Sequence, residues 1–199
     1  MIALTRYYNI IRFKERITQM TNSIEFGKKI NRRPIMISLI LSLIAGGIGA
    51  YFDFKLAISL FLLVLIFMLF IYYPNNLSVL FGHWQVEKHG ISYYKMDSYF
   101  DRLKMTLLPD ITEFQFISFS QVKSYYVIEQ KEKFDLTNIL TINPTRQSIF
   151  PWLRKPFYLV LVVNGGQIKL DLSWTQLHDR KNSLYRLSNA LKVIDQKIN

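Results

Sequence analysis

Few residues in this chain have the types and spacing that chemistry needs. The histidines are His83, His89 and His178. The first two sit at or beside a predicted turn and the third lies on the polar side of a predicted helix. Metal ligands cluster and are themselves oriented by hydrogen bonds, so no metal site is expected from these three. Ser173, His178 and Asp179 carry the letters of a nucleophilic triad. Helical spacing scatters them, and nothing nearby supplies an oxyanion hole. Cysteine is absent, which excludes disulfides, thiolate chemistry and cysteine-based zinc sites. The phosphate-cradling G-x-x-x-x-G-K-[ST], the dinucleotide G-x-G-x-x-G, H-E-x-x-H and G-x-S-x-G are all missing. The expectation is a non-enzymatic protein without a cofactor.

What the sequence offers instead is contact surface. The 25 basic against 14 acidic side chains give a net charge of +11. This excess is densest at Lys28, Lys29, Arg32 and Arg33, just before a long apolar run. Basic residues placed there mark the cytoplasmic flank of a membrane segment rather than a nucleic-acid surface. Ser38, Ser42, Gly46 and Ala50 recur every fourth residue and would form one small-residue stripe on a helix, where another backbone approaches closely. The expected partner is the chain's own second helix, with a homo-oligomer seam or another membrane protein as the alternative. Phe150-Pro-Trp-Leu-Arg-Lys-Pro-Phe157 sets Trp152, Leu153, Arg154 and Lys155 in a loop stiffened by two prolines. Its apolar tip with a basic collar would suit a membrane interface or a partner. The blander and commoner alternative is that Trp152 plugs an open corner of the β-structure.

These residues need elements to position them. Residues 35–52 and 56–73 are two uncharged runs of eighteen. As helices each would reach about 27 Å, close to the hydrocarbon thickness of a bilayer. Pro74 is expected to end the second. Asp53, Phe54 and Lys55 can reverse the chain but cannot cross lipid, so residues 35–74 read as a transmembrane hairpin with both ends on one side. The basic flank makes that side cytoplasmic and the protein a multi-pass cell-membrane protein. No signal peptide is expected, because about thirty mostly polar residues come first. Within this arm, 1–34, Ile10, Phe13, Ile17, Met20 and Ile24 follow helical spacing. Such an amphipathic helix would lie in the headgroup layer or on the folded domain.

From about residue 83 the pattern turns to short alternating runs, the signature of strands. Trp84–Lys88 and Ile91–Tyr94 flank a turn at His89-Gly90. The run Phe114–Glu129 is too long for one strand and is expected to break near 118–121, and Leu136–Ile142 is a further candidate. Phe157–Val163 and Gln167–Leu172 flank Asn164-Gly165, the strongest short-range hairpin signal. Lys169 and Asp171 are expected to face water. Ser173 with Gln176 forms a capping box. The stripe from Leu177 to Ile198 predicts a closing amphipathic helix, with Asn182 and Ser183 as an interruption.

Trp84-Gln-Val-Glu-Lys-His-Gly-Ile-Ser-Tyr-Tyr94, Ile117-Ser-Phe-Ser-Gln-Val-Lys-Ser124, the Asn164 hairpin and the terminal helix together resemble the bacterial pleckstrin-homology-like domains. These include the YcxB-type proteins, in which two membrane helices precede the domain. The resemblance covers residues 84–199 and carries no site residues with it. It implies an α+β membrane protein: a two-helix transmembrane hairpin, then a PH-like β-sandwich or barrel of about seven strands over 83–199, capped by a C-terminal helix. The missing catalytic residues add the expectation of a non-catalytic interaction module held at the lipid bilayer. One use among such proteins of Gram-positive bacteria is self-protection against membrane-active peptides, the bacteriocin-immunity type. The alternative is an accessory or regulatory subunit of a membrane transporter or cell-envelope enzyme.

Overall fold

Ile24-Glu25-Phe26 is too short for any periodicity to reveal, yet it forms a strand, β1 (Ile24–Phe26). In the computed structural model, which describes residues 23–112, 114–135 and 138–198, this strand pairs antiparallel with β2 (Trp84–Val86). Phe26 stands opposite Trp84, and the two rings stack 4.2 Å apart. Everything between them is therefore an insertion between neighbouring strands of one sheet. The expected layout, with the hairpin wholly ahead of the β-domain, is corrected accordingly. Ile24, expected as an apolar position of the N-terminal helix, is a strand residue; the rest of that expected helix lies outside the described residues.

The inserted part begins at a pinch. Gly27 has φ +72°, and a Cβ there would collide with the Gly82 carbonyl oxygen. Glycine is required on both counts. Beyond it rises α1 (Arg33–Ala50), with Pro34 in its first turn, where a missing N–H costs nothing. The return helix runs without a break from Phe54 to Phe81, as α2 (Phe54–Ile66), a π-helical stretch (Phe67–Tyr72) and α3 (Tyr73–Phe81). Among the described residues these two helices are long and apolar enough to cross a membrane.

Pro74 does not stop the second helix, contrary to expectation. The π-helical stretch changes the bonding register just ahead of the proline, and side chains supply what the ring removes. The Phe70 carbonyl, four residues earlier, accepts the Tyr99 hydroxyl at 2.7 Å. The helix then outruns a bilayer, since its 28 residues span about 42 Å against roughly 30 Å of hydrocarbon. Burial changes accordingly: no residue of α2 is buried, whereas Tyr73, Pro74, Leu77 and Phe81 of α3 are.

The β-domain comprises two antiparallel four-stranded sheets, ordered β1-β2-β3-β4 and β6-β5-β7-β8. The remaining strands are β3 (Gly90–Tyr93), β4 (Gln115–Ser118), β5 (Val122–Glu129), β6 (Glu132–Phe134), β7 (Phe157–Val163) and β8 (Gly166–Asp171). Among the described residues β2 to β8 make seven strands within 83–199, about the number expected there, and β1, from ahead of the hairpin, adds an eighth. The long run breaks at a 3-10 turn, Phe119–Gln121, closed by a capping box between Ser118 and Gln121. Asn164-Gly165 joins β7 to β8, with Val163 opposite Gly166.

The described part of the expected Leu136–Ile142 strand, residues 138–142, is not a strand. β5 pairs with β7 on one side and on the other with β6, reached through Gln130 at φ +54°, and Ile139 fills the core from a 3-10 turn. One helix, α4 (Tyr99–Leu107), had not been expected; Ser98 caps it by accepting the Asp101 amide at 3.1 Å. The terminal apolar stripe is split into α5 (Ser173–His178) and α6 (Ser183–Ile198). Leu187, Leu191 and Ile194 of α6 pack with Ile91, Ile117, Val127, Leu159 and Leu161 of the sheets in one core. Full burial of such a side chain contributes about 1.5–3 kcal/mol. Tyr125 of β5 also donates its hydroxyl to Asp195 of α6 at 2.9 Å.

Candidate functional site

The hairpin's small residues face inward. Ser38 and Ser42 are fully buried, and each hydroxyl donates to the carbonyl four residues back, Pro34 and Ser38 respectively, at 2.7 Å. Their polar groups are satisfied within α1. A Cβ at Gly46 would stand 3.3 Å from Phe61, and one at Gly49 only 2.8 Å from the Ala57 Cα. Ala50, expected in this stripe, is exposed instead. A spacing of four drifts about 40° per step on a helix of 3.6 residues per turn, so by the fourth position Gly49 holds the seam. The surface turned away from the seam is apolar: Leu43, Ile48, Leu63 and Ile66 are all more than half exposed.

The basic flank is spread among different partners. Lys28 is half-buried with its ammonium about 5 Å from the rings of Phe81 and Trp174; burial, then Arg33, lowers its pKa. Lys29 pairs with Glu25 at 3.4 Å. Arg32 binds the Asp110 carboxylate at 2.5 and 2.9 Å, tying the 3-10 turn Pro109–Ile111 to the foot of α1. Arg33 is exposed.

α4 holds the other foot. Besides the Tyr99 bond to Phe70, Arg102 donates from Nε to the Pro74 carbonyl at 2.8 Å and from Nη1 to that of Met96 at 2.7 Å. Across the helix, Trp152 meets the Tyr72 ring edge-on at 5.9 Å. Trp152 is 58% exposed, so it does not plug the β-structure. Its 3-10 turn, Pro151–Leu153, turns Pro151 inward and leaves Trp152 and Leu153 outside. Arg154 belongs to the framework rather than to a collar. It donates to the Val79 carbonyl at 2.7 Å and the Ser148 carbonyl at 3.0 Å, and it lies over Trp174. Lys155 stays exposed.

Beside this neck is a cleft of about 250 Å³, lined by Ser78, Gly82, His83, Tyr94, Tyr158 and Asp171 among others. Asp171, expected to face water, is buried. Its carboxylate caps α5, accepting the Trp174 amide at 3.2 Å and the Ser173 hydroxyl at 2.8 and 3.0 Å. The predicted Ser173–Gln176 box is therefore replaced, and the Gln176 side-chain amide oxygen accepts from the Ser183 hydroxyl instead. Burial pushes the Asp171 carboxyl up to about 7, against the opposing pull of these donors and of Arg154. His83 is buried among Tyr94 and Phe114. Its pKa is lowered by burial and then by Lys29, despite Glu25 at 3.9 Å. The Phe26 carbonyl and Gln85 side chain lie nearby without hydrogen-bond alignment to the ring.

The triad letters do not assemble. Ser173 is bound to Asp171, and His178 stacks on Trp174 at 3.8 Å. Among the described residues no three of His, Cys, Asp or Glu gather around a common point. Comparison of the chain with family models, curated proteins and solved structures gives no match. Sequence reasoning missed α4 and the inward Asp171. The first had a signal, since Ser98 precedes Asp101 by the capping interval; the second had none, because alternation along β8 points the other way.

Proposed function

We propose that this chain is a non-enzymatic, membrane-anchored interaction module: a hairpin spanning the bilayer carries a PH-like β-domain on its cytoplasmic side. The observation carrying this reading is the bare apolar surface of α1 and α2, held as an insertion between paired strands β1 and β2. In water that surface is costly, and in lipid it is satisfied. Pairing of β1 with β2 brings both ends of the hairpin together, and four basic residues flank the first span against one lysine in its turn, which favours cytoplasmic termini. Two sheets closed by a terminal helix agree with the layout that the resemblance implies.

Protection against membrane-active peptides is the use this architecture serves best, because such a module stands where those peptides act. The small-residue stripe lends the accessory-subunit reading little support, since Ser38 and Ser42 are already enclosed and a Cβ at Gly46 would meet Phe61 of α2. Two experiments test the proposal. A reporter fused after Asn199 should be active only in the cytoplasm and one in the Asp53–Lys55 turn only outside. Expression in a sensitive bacterium should reduce killing by membrane-active peptides. Unchanged killing removes the protective use, and extraction of the chain by alkaline carbonate removes the anchor.

A further inference from the structure

We propose that α4 and the 149–153 loop are interfacial wedges, lying in the headgroup layer on opposite flanks of the second span and holding the β-domain flush against the bilayer. This deepens, and rests on, the membrane-anchored reading.

The hydrogen bonds fix where the wedges stand. Phe70 and Pro74 are one helical turn apart and share a face; α4 is bound to both, through Tyr99 and Arg102. Tyr72 lies about half a turn away, and there it meets Trp152. The Arg32–Asp110 pair joins the turn after α4 to the foot of the first span. All these attachments fall at one height. It is the height where the second helix passes from bare to packed, from Ile71 at 50% exposure to Tyr73 at 5%.

At that height the outward side chains are apolar. Phe100, Leu108 and Ile111 stand out on the α4 flank, and Ile149, Phe150, Trp152 and Leu153 on the other. Large aromatics and aliphatics at such a level favour the membrane–water boundary. Arg33, Lys104 and Lys155 are exposed nearby, which suits anionic headgroups. The surface continues the bare belt of the hairpin, so the same lipid covers both.

The absence of cysteine allows a clean test in the full chain. Single substitutions Phe100→Cys, Leu153→Cys, Leu62→Cys and Gly165→Cys, all at exposed sites, are labelled with an environment-sensitive fluorophore. The protein is reconstituted into phosphatidylcholine vesicles containing anionic phosphatidylglycerol. Lipids brominated near the top of the acyl chain should quench the labels at positions 100 and 153 and shift their emission to the blue. The label at 165 should stay unquenched, because seven-residue β7 sets that turn about 23 Å from the loop. Leu62 lies near mid-span, so quenching at 62 by lipids brominated near the end of the acyl chain reports the anchor itself. Quenching at 62 without quenching at 100 and 153 overturns the wedges and leaves the anchor intact; loss of quenching at 62 overturns the anchor. Labels at 100 and 153 that are shielded yet unquenched assign the surface to a protein and also overturn the proposal.

Discussion

The hairpin and the β-domain place the same residue types in opposite ways. Leu159, Leu161 and Leu191 are fully buried in the β-domain, whereas Leu43 and Leu63 of the hairpin are about two-thirds exposed. Conversely, Ser38 and Ser42 are completely enclosed. A water-solvated fold gains by hiding hydrocarbon. On the proposed reading the hairpin is solvated by lipid and gains nothing from that, so close packing of small residues holds its seam. The neck, where Gly27 meets Gly82, is the point at which one rule gives way to the other.

Substitutions can break this contrast, beginning with the largest effect. Leu161→Ala should destabilise the β-domain by about 2–5 kcal/mol, whereas Leu63→Ala in the hairpin should stay within about 0.5 kcal/mol, as for other surface sites. Denaturant unfolding of the detergent-solubilised protein compares them; equal losses would end the contrast.

The second test concerns the buried carboxyl under the neck. With its pKa raised from 3.8 to about 7, Asp171 is favoured protonated in the fold. Its contribution is complete below about pH 4, declines as pH rises toward 7 and is gone above that, a loss of up to about 4 kcal/mol at 1.36 kcal/mol per unit. Asp171→Asn should flatten that slope. Thermal unfolding at pH 5 and pH 8 measures it, and an unchanged slope refutes the assignment.

Smaller effects sharpen the seam and the kink. Gly49→Ala puts a methyl 2.8 Å from the Ala57 Cα and should cost about 1–3 kcal/mol by overpacking. Ala50→Leu, one residue away, should be neutral. Protease sensitivity of the 51–54 turn separates the two. Tyr99→Phe removes the bond to the Phe70 carbonyl and should cost about 1 kcal/mol. Its signature is faster amide exchange confined to residues 67–76, and global loosening would contradict a local role.

Much of the architecture was legible in the residues themselves. The two apolar runs, the turn between them too short to recross lipid, the Asn164-Gly165 hairpin and the break at 118–121 all follow from local periodicity and turn chemistry. The helix at 99–107 was readable from Ser98 and Asp101 but is short. Gln130 hid the β5–β6 turn, because a non-glycine residue at positive φ leaves no compositional mark.

Tertiary structure alone decided the rest. Nothing near Ile24 indicates that its strand closes on Trp84 across the hairpin, nor that Arg154 reaches Val79 or that Asp171 turns inward to cap α5. Helix length and strand alternation are properties of neighbouring residues, so a sequence displays them directly. Pairings between residues far apart in the chain depend on which surfaces meet once the core and the hairpin have formed. The sequence by itself therefore determined two long apolar helices and a β-rich domain, and packing determined that one is inserted into the other.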